Sequence, residues 1–156
     1  MVEIDNVQSL RDHLGREIGV SDWFEVTQER IGEFAEATSD RQWIHVDPAR
    51  AAIESPFKTT VAHGFLTLSL LSRLLRDTVR IGGLRTAVNY GLNRVRFMAP
   101  VPSGSRVRGR FTPTTVEEAR DSVQVTWSAI VEREHEEKPC CVAEWIIRYY
   151  PGPGPS

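Results

Sequence analysis

Residues 61–75 read Val-Ala-His-Gly-Phe-Leu-Thr-Leu-Ser-Leu-Leu-Ser-Arg-Leu-Leu. When this run is wound as a helix, its apolar side chains point in almost every direction, which is typical of a helix that is buried on most of its surface. The run is far shorter than the ~20 apolar residues that a membrane span requires. We therefore predict a central helix with the rest of the domain folded around it.

After Gly82-Gly83 the apolar residues alternate with polar ones. Alternation puts every second side chain on the same face, which is the pattern of a half-buried strand. The alternating sets are Val88, Tyr90 and Leu92; Val95 and Phe97; Val107, Gly109 and Phe111; Val123, Val125, Trp127, Ala129 and Val131; and Ala143, Trp145, Ile147 and Tyr149. Turn residues at 100–104 and 117–121 predict an antiparallel meander. A sheet wrapped around one buried helix is an α+β domain.

The region before the central helix gives shorter signals. Apolar residues three or four apart predict a short helix within residues 4–18, and residues 23–26 predict a brief strand. Thr27 is a typical N-cap for a second helix that ends near residues 38–40. Asp47-Pro48 predicts a third helix, because a capping aspartate followed by proline suits the first turn of a helix.

Length and composition fit one globular domain of 156 residues, of which 40% are hydrophobic and 26% are charged. We place this domain at residues 1–150 and predict a disordered tail at 151–156, because Pro-Gly-Pro-Gly-Pro-Ser is unsuited to a strand ladder. A formal net charge of −2 gives no general attraction to nucleic acid or anionic membranes. Residues 1–14 do not resemble a signal peptide, so we expect a cytoplasmic protein.

Asp40 and His45 lie in the link between two predicted helices. In such a link, side chains five residues apart can turn toward one small space and hold a water molecule between them. That arrangement suits hydration chemistry. In the alternative interpretation Asp40 is a local cap and His45 is a hydrogen-bonded core residue, and for the pair taken alone this structural interpretation is favoured.

The wider segment resembles the motif of the MaoC-like, or hydratase 2, family of (R)-specific enoyl-CoA hydratases. The residues that keep the pattern at the family's spacing are Phe34, Asp40, Ile44, His45 and Ala51. The departures are Ser39, Gln42 and Trp43, where the family usually has Gly, Asn and Pro. Together with the motif at residues 61–68, this variant is most similar to the branch named after nodulation protein N. The resemblance extends from about residue 18 to residue 149.

The resemblance implies a single hot dog domain, with the central helix inside the sheet and the link of residues 40–51 over the active site. It also implies reversible hydration of a trans-2-enoyl-CoA to a (3R)-3-hydroxyacyl-CoA, with Asp40 and His45 as the catalytic pair. By the same analogy, the amide of Gly64 is the oxyanion donor at the start of the helix. We expect neither a metal nor another cofactor, since coenzyme A is part of the substrate.

Two residues are assigned supporting roles. Gln42 would bind the water or fix the loop, as the family asparagine does. Ser72 lies two helical turns beyond Gly64, so its hydroxyl would either orient Asp40 or bond to a carbonyl of its own helix. We interpret His63 as structural. Family members are dimers, and the free strand edges of an antiparallel sheet also favour a homodimer.

Three alternatives stay open. A hot dog thioesterase usually has its carboxylate on the central helix, but residues 64–75 contain neither Asp nor Glu. In a non-catalytic acyl-binding domain, Asp40 and His45 would be structural.

Arginines alternate with other residues on two of the predicted strands. They fit a solvated sheet face or, as the second interpretation, a site for coenzyme A phosphates. These residues are Arg94, Arg96, Arg106, Arg108 and Arg110.

Overall fold

The computed structural model describes residues 1–152. Its helices are a 3₁₀ helix at Val7–His13, α1 at Gln28–Thr38, α2 at Trp43–Val46, α3 at Pro48–Glu54, α4 at Gly64–Ser69 and α5 at Leu71–Thr78. Its strands are β1 at Val2–Ile4, β2 at Gly19–Val20, β3 at Phe24–Val26, β4 at Val79–Ile81, β5 at Leu84–Phe97, β6 at Ser105–Glu118, β7 at Val123–Arg133 and β8 at Cys141–Pro151.

An antiparallel sheet of six strands forms most of the domain. Its order is β2-β6-β7-β8-β5, with β3 also paired to β6. Strands β6, β7 and β8 form the predicted meander, but the prediction is wrong for β5, which pairs with β8 instead of β6. Alternation identifies a strand and its buried face, whereas the pairing partner is set by contacts between distant segments.

The chain crosses between β5 and β6 along residues 98–104. This crossing segment pairs with the residues just before the central helix. Ala62 donates its amide hydrogen to the carbonyl of Val101 at 2.8 Å, and Ser103 donates to the carbonyl of Thr60 at 2.9 Å. The approach to the helix is therefore fixed by backbone hydrogen bonds.

The central helix consists of α4 and α5, with only Leu70 between them. Hydrogen bonds from the Leu70 amide to Leu66 at 3.1 Å and from the Leu74 amide to Leu70 at 2.9 Å continue the helical pattern through the junction. The helix begins at Gly64, as the motif predicts, and not at Val61, where the quoted apolar run starts, because Val61 forms a β-bridge with Pro102. Among residues 1–152, no helix has the length and apolar character that crossing a bilayer requires.

The core lies between the central helix and the inner face of the sheet. Trp127 and Phe111 are fully buried and meet edge to face, with ring centroids 6.5 Å apart. The indole of Trp127 donates to the hydroxyl of Tyr149 at 3.1 Å, which satisfies its buried polar group. Leu71 and Leu74 of α5 complete the same core. A curved sheet around one helix is the α+β hot dog arrangement, so the predicted fold class is confirmed.

Both ends of the chain differ from the sequence predictions. The helix expected within residues 4–18 is a shorter 3₁₀ helix, and the residues before it form β1, which pairs in parallel with β4. At the other end, Pro151 pairs with Leu84 and Gly152 donates to the carbonyl of Gly83 at 2.8 Å. The predicted tail is therefore wrong for residues 151 and 152, because β5 extends beyond β7 and still accompanies β8 there. Residues 153–156 lie outside the described part.

The helix caps were predicted correctly. The hydroxyl of Thr27 accepts a hydrogen bond from the Arg30 amide at 3.2 Å, and the carboxylate of Asp47 accepts one from the Arg50 amide at 3.0 Å. Each cap satisfies an amide that the first turn of its helix leaves free. The two caps set where α1 and α3 begin. The link that carries Asp40 and His45 lies between these two helices.

Gly109 lies where β6 approaches the central helix. A Cβ atom there would be 2.6 Å from the Phe111 ring and 3.1 Å from Leu74. We expect Gly109→Ala to lower the free energy of unfolding by about 1–3 kcal/mol, because the core is already filled. Within residues 1–152, no atom lies within 4 Å of a Cβ placed at Gly32 in α1, so Gly32→Ala should raise the free energy of unfolding by about 0.5–1 kcal/mol. Denaturant unfolding of both variants measures the difference, and effects of the same sign would contradict this packing.

Candidate active site

Asp40 and His45 are held in the link between α1 and α3. Helix α1 ends at Thr38, and Ser39 adopts a left-handed conformation with φ of 59° that turns the chain toward Asp40. His45 lies in the single turn of α2. Its Nδ1 is 2.6 Å from the carbonyl oxygen of Val61. A carbonyl only accepts, so Nδ1 carries the proton and Nε2 of a neutral His45 carries a free lone pair.

The backbone around His45 is fixed from two sides. Val61 donates its amide hydrogen to the carbonyl of Ile44 at 3.1 Å while its own carbonyl receives His45 Nδ1. From the other side, the side-chain amide of Gln28 donates to the His45 carbonyl at 2.8 Å. The buried hydroxyl of Thr60 in turn donates to Gln28. The sequence motif gave no signal for Gln28 or Thr60, which come from distant parts of the chain.

His63 completes a cluster with the predicted pair. Its Nε2 is 2.9 Å from the main-chain carbonyl oxygen of Asp40 and 3.9 Å from that residue's carboxylate. Its ring stacks on the His45 ring with centroids 3.8 Å apart, and Phe34 packs at 5.1 Å. One ligand atom from each of Asp40, His45 and His63 lies within 4.8 Å of the others. The structure therefore brings Asp40 and His45 together, with His63 between the link and the central helix.

Burial is the main influence on the charge of His45. It lowers the pKa of His45, the hydrogen bond to Val61 opposes this, the neighbouring His63 lowers the pKa further, and Asp40 raises it. The net direction is downward, so His45 is held in its neutral form. A neutral imidazole with a free Nε2 lone pair is suited to take a proton from water.

The same three side chains carry groups that can bind a metal ion. Histidine nitrogens bind metals at about 2.1 Å with the ion in the plane of the ring. The rings of His45 and His63 are stacked, with an angle of 25° between their planes. One ion at that distance from both rings would lie well outside the plane of at least one of them. The geometry suits proton transfer better than a shared ion.

Gly64 is the first residue of α4, directly after His63. The first amides of a helix have no acceptor within the helix, so among the residues that the structure describes this N–H has no partner and can bind a ligand oxygen. A Cβ atom at Gly64 would be 3.0 Å from three atoms of the Phe97 ring. A cavity of about 250 Å³ opens here and is lined by both residues. The lack of a side chain keeps this approach to the amide open.

The two supporting residues are placed differently from the catalytic pair. Gln42 is exposed just before α2, and in the described part of the chain its side chain makes no capping hydrogen bond. The hydroxyl of Ser72 accepts a hydrogen bond from the side-chain amide of Asn89 at 3.3 Å, which is neither of the two contacts predicted for it. Asn89 is on β5 and was missed by the sequence analysis. The roles of Gln42 and Ser72 in catalysis stay predictions.

A cavity of about 630 Å³ lies between α5 and strands β5 and β8. Ser72 and Asn89 lie in its wall, and Leu75, Ile147 and Tyr149 make it largely apolar. Its position along the central helix places it beyond Gly64, on the side of the helix that carries Ser72. Its lining includes none of Asp40, His45, His63 and Gly64, but a largely apolar cavity of this size can hold an apolar chain.

Residues 9–135 match the family model of the MaoC like domain. The chain belongs to the MaoC-like domain family. The family assignment made from the motifs is thus confirmed. In this MaoC-like domain, the matched region contains Asp40, His45, His63 and Gly64, together with most of the sheet.

Two relatives are similar to this MaoC-like domain over nearly their whole length. The chain is 51% identical to the 3-hydroxyacyl-thioester dehydratase Z of Mycobacterium tuberculosis, over 96% of this chain and 99% of that protein. It is 49% identical to nodulation protein N of Rhizobium leguminosarum bv. viciae, over 92% of this chain and 91% of that protein. The R-hydratase PhaJ1 of Pseudomonas aeruginosa has the same fold, with a TM-score of 0.70, 23% identity and coverage of 90% and 83% of the two chains.

The alternating arginines lie on the outer face of the MaoC-like domain, opposite the central helix. Those on β6 are all paired with carboxylates: Arg106 with Glu134, Arg108 with Glu132, and Arg110 with Glu17 and Glu132. A guanidinium group that already has a carboxylate partner is less available for phosphate. For these three residues the structure favours the solvated sheet face over a site for coenzyme A phosphates.

Proposed function

We propose that this protein catalyses the reversible hydration of a trans-2-enoyl-CoA to a (3R)-3-hydroxyacyl-CoA. The observation that carries the proposal is that an Asp40 carboxylate oxygen and a His45 ring nitrogen lie within 4.8 Å of each other and of His63, the residue directly before Gly64 at the start of α4. The relative in Mycobacterium tuberculosis, at 51% identity, is named a 3-hydroxyacyl-thioester dehydratase, and dehydration is the reverse of this reaction.

Asp40 and His45 are proposed to hold the reacting water between them. In hydration, His45 Nε2 accepts a proton from the water molecule while the water oxygen bonds to the β-carbon of the enoyl group. The electrons of the carbon–carbon double bond move toward the thioester and form an enolate. The α-carbon then takes a proton from the Asp40 and His45 pair, so that one water molecule has been added in total.

Gly64 is proposed to stabilise the enolate oxygen. Its amide, reinforced by the helix that follows, donates to the thioester oxygen as negative charge develops there. The acyl chain would extend along the central helix into the cavity lined by Ser72 and Leu75. Because the thioester already polarises the alkene, no metal or redox cofactor is required in this mechanism.

A spectrophotometric assay with crotonyl-CoA tests this function. We expect the enoyl absorbance to fall without release of free thiol, at a rate that dialysis against a chelator leaves unchanged. Free thiol would indicate a thioesterase, and no reaction would indicate a binding domain.

The central helix extends further than the sequence predicts and includes one carboxylate, that of Asp77. This residue lies in the last turn of the helix and pairs with Arg73 at 3.2 Å. It is therefore poorly placed to direct water at a thioester near Gly64.

The pH dependence of hydration should report His45. Because burial above all lowers the pKa of His45, its neutral form persists below the ordinary histidine value. We expect kcat/KM to stay level through neutrality and to fall only at a pH below about 6.5, where the imidazole becomes protonated. Rates measured from about pH 5 to pH 9 give this profile. An acid limb centred above the ordinary histidine value would contradict His45 as the base.

We also propose a homodimer formed along β5. This strand is a long free edge of the sheet, and an exposed edge strand with apolar side chains favours pairing with another strand. Its exposed apolar residues are Val88, Tyr90, Leu92 and Phe97. The cavity between α5 and β5 reaches the same edge, so a second copy would lie beside the acyl site. The cytoplasmic location predicted from the sequence stays a prediction.

Sedimentation should show a species near twice 17.6 kDa. We expect Val88→Lys to weaken the dimer at least about tenfold, because a two-fold axis through the strand pair would bring like charges together and desolvate them. Val20→Lys on the opposite edge is the matched control and should not change the association. A wild-type protein that is monomeric at micromolar concentration and fully active would rule out the dimer as a requirement.

A further inference from the structure

Residues 61–64 connect the main groups of the proposed active site. Val61 binds the Nδ1 hydrogen of His45, His63 contacts the Asp40 carbonyl, and Gly64 supplies the amide at the start of α4. The segment is itself fixed, because Ala62 donates to Val101 of the crossing segment. A shift of this segment would move the pair and the amide relative to one another.

His63 is the least exposed side chain of the cluster, with 3% of its surface accessible. Its Nε2 must carry the proton, because the Asp40 carbonyl oxygen at 2.9 Å can only accept. Its Nδ1 is buried and has no hydrogen-bond partner within residues 1–152. A buried polar atom without a partner costs stability, so an apolar side chain would serve packing better. A structural role alone therefore does not account for a histidine at this position.

We propose that His63 is a positioning residue for the hydration reaction. Its Nε2–H holds the main chain of Asp40, and its ring supports the face of His45, so that the carboxylate and the imidazole converge on one water. This inference rests on the proposed function of Asp40 and His45. His63 acts through these two residues and does not itself exchange a proton with the substrate.

Two substitutions separate the contacts of His63. His63→Phe keeps a buried ring against His45 but removes the donor to Asp40. His63→Gln loses the ring but can place an amide N–H near the position of Nε2. We expect His63→Phe to lower kcat about 10- to 100-fold, because a small misplacement of a catalytic group is costly, while KM for crotonyl-CoA changes less than about threefold. His63→Gln should recover most of the lost kcat.

Thermal unfolding and binding of butyryl-CoA, a saturated analogue, show whether each variant is folded. The same substitutions at His135, whose side chain is 89% exposed, are the matched controls and should leave kcat unchanged. A folded His63→Phe variant with the wild-type kcat would overturn the proposal. So would a folded His63→Gln variant that is as slow as His63→Phe, because the proposal assigns most of the effect to the donor that glutamine restores.

A measurement on the wild-type protein decides the matter if the variants do not fold. Nitrogen–proton correlation spectra of the imidazole rings should show the Nε2–H tautomer for His63 and the Nδ1–H tautomer for His45. An Nδ1–H tautomer at His63 would exclude the bond to Asp40 and overturn the inference. Failure of the proposed function looks different: the wild-type protein would then hydrate no enoyl-CoA, whatever the tautomers.

Discussion

Asp40→Asn and His45→Asn are each expected to lower kcat for hydration about 10²- to 10⁴-fold with the domain still folded. Asp40→Asn preserves the shape of the side chain but removes the carboxylate. The side chain of Asp40 is 56% exposed, so this change should cost little stability. His45→Asn can keep an amide N–H near Nδ1 and so retain the bond to Val61, whereas the Nε2 lone pair is lost. Initial rates with crotonyl-CoA measure both effects.

The controls for this pair come from the same chain. Asp77→Asn changes a partly exposed carboxylate on the central helix, and it should leave the rate of hydration nearly unchanged. Both catalytic variants should unfold near the temperature of the wild-type protein. If either one retains more than about a tenth of the wild-type kcat, that residue does not have the assigned role, because a positioned acid or base is worth more than this.

The sequence was sufficient to predict the helices, caps and strands that depend on local patterns. Threonine and aspartate caps, the buried helix and the alternating strands follow from rules that act within about one or two turns. Asp40, His45 and Gly64 were predicted as site residues because one short motif contains the link and a second motif spans the start of the central helix. Their proximity in the structure follows from the crossing segment, which holds the start of the helix against the turn of α2.

The features that the sequence did not predict depend on long-range contacts. Strand β5 pairs with β8, which is about fifty residues away, and no local property of either strand specifies this partner. Similarly, Gln28 reaches Thr60 and the His45 carbonyl only after α1 has packed against α2. His63 was interpreted as structural because its contacts with Asp40 and His45 cannot be read from spacing. Thr60 and His63 are polar residues beside or within an apolar run. This was the signal that could have directed attention to them, because a polar side chain that becomes buried needs a hydrogen-bond partner.

Gly64→Val is expected to abolish measurable hydration. The amide N–H would survive, but a branched side chain beside it would push the thioester oxygen beyond the ~3 Å at which an oxyanion donor is effective. Loss of one such donor typically costs about 3 kcal/mol, or a factor of 10²–10³ in kcat. The structure shows a complication, because any Cβ at this position would be 3.0 Å from the Phe97 ring. Part of the loss could therefore come from displaced packing.

A double variant separates the two causes. Gly64→Ala adds the smallest side chain, and Phe97→Leu in the same protein removes the ring that this side chain would contact. Phe97 is 46% exposed at the end of β5, so its replacement should be tolerated, and Phe97→Leu alone provides the reference rate. If the Gly64 amide binds the enolate oxygen, Gly64→Ala should lower kcat by a similar factor, at least about tenfold, in both backgrounds. A Gly64→Ala loss that disappears in the Phe97→Leu background would assign the effect to packing. A folded Gly64→Val protein with the wild-type rate would exclude this amide as the oxyanion donor.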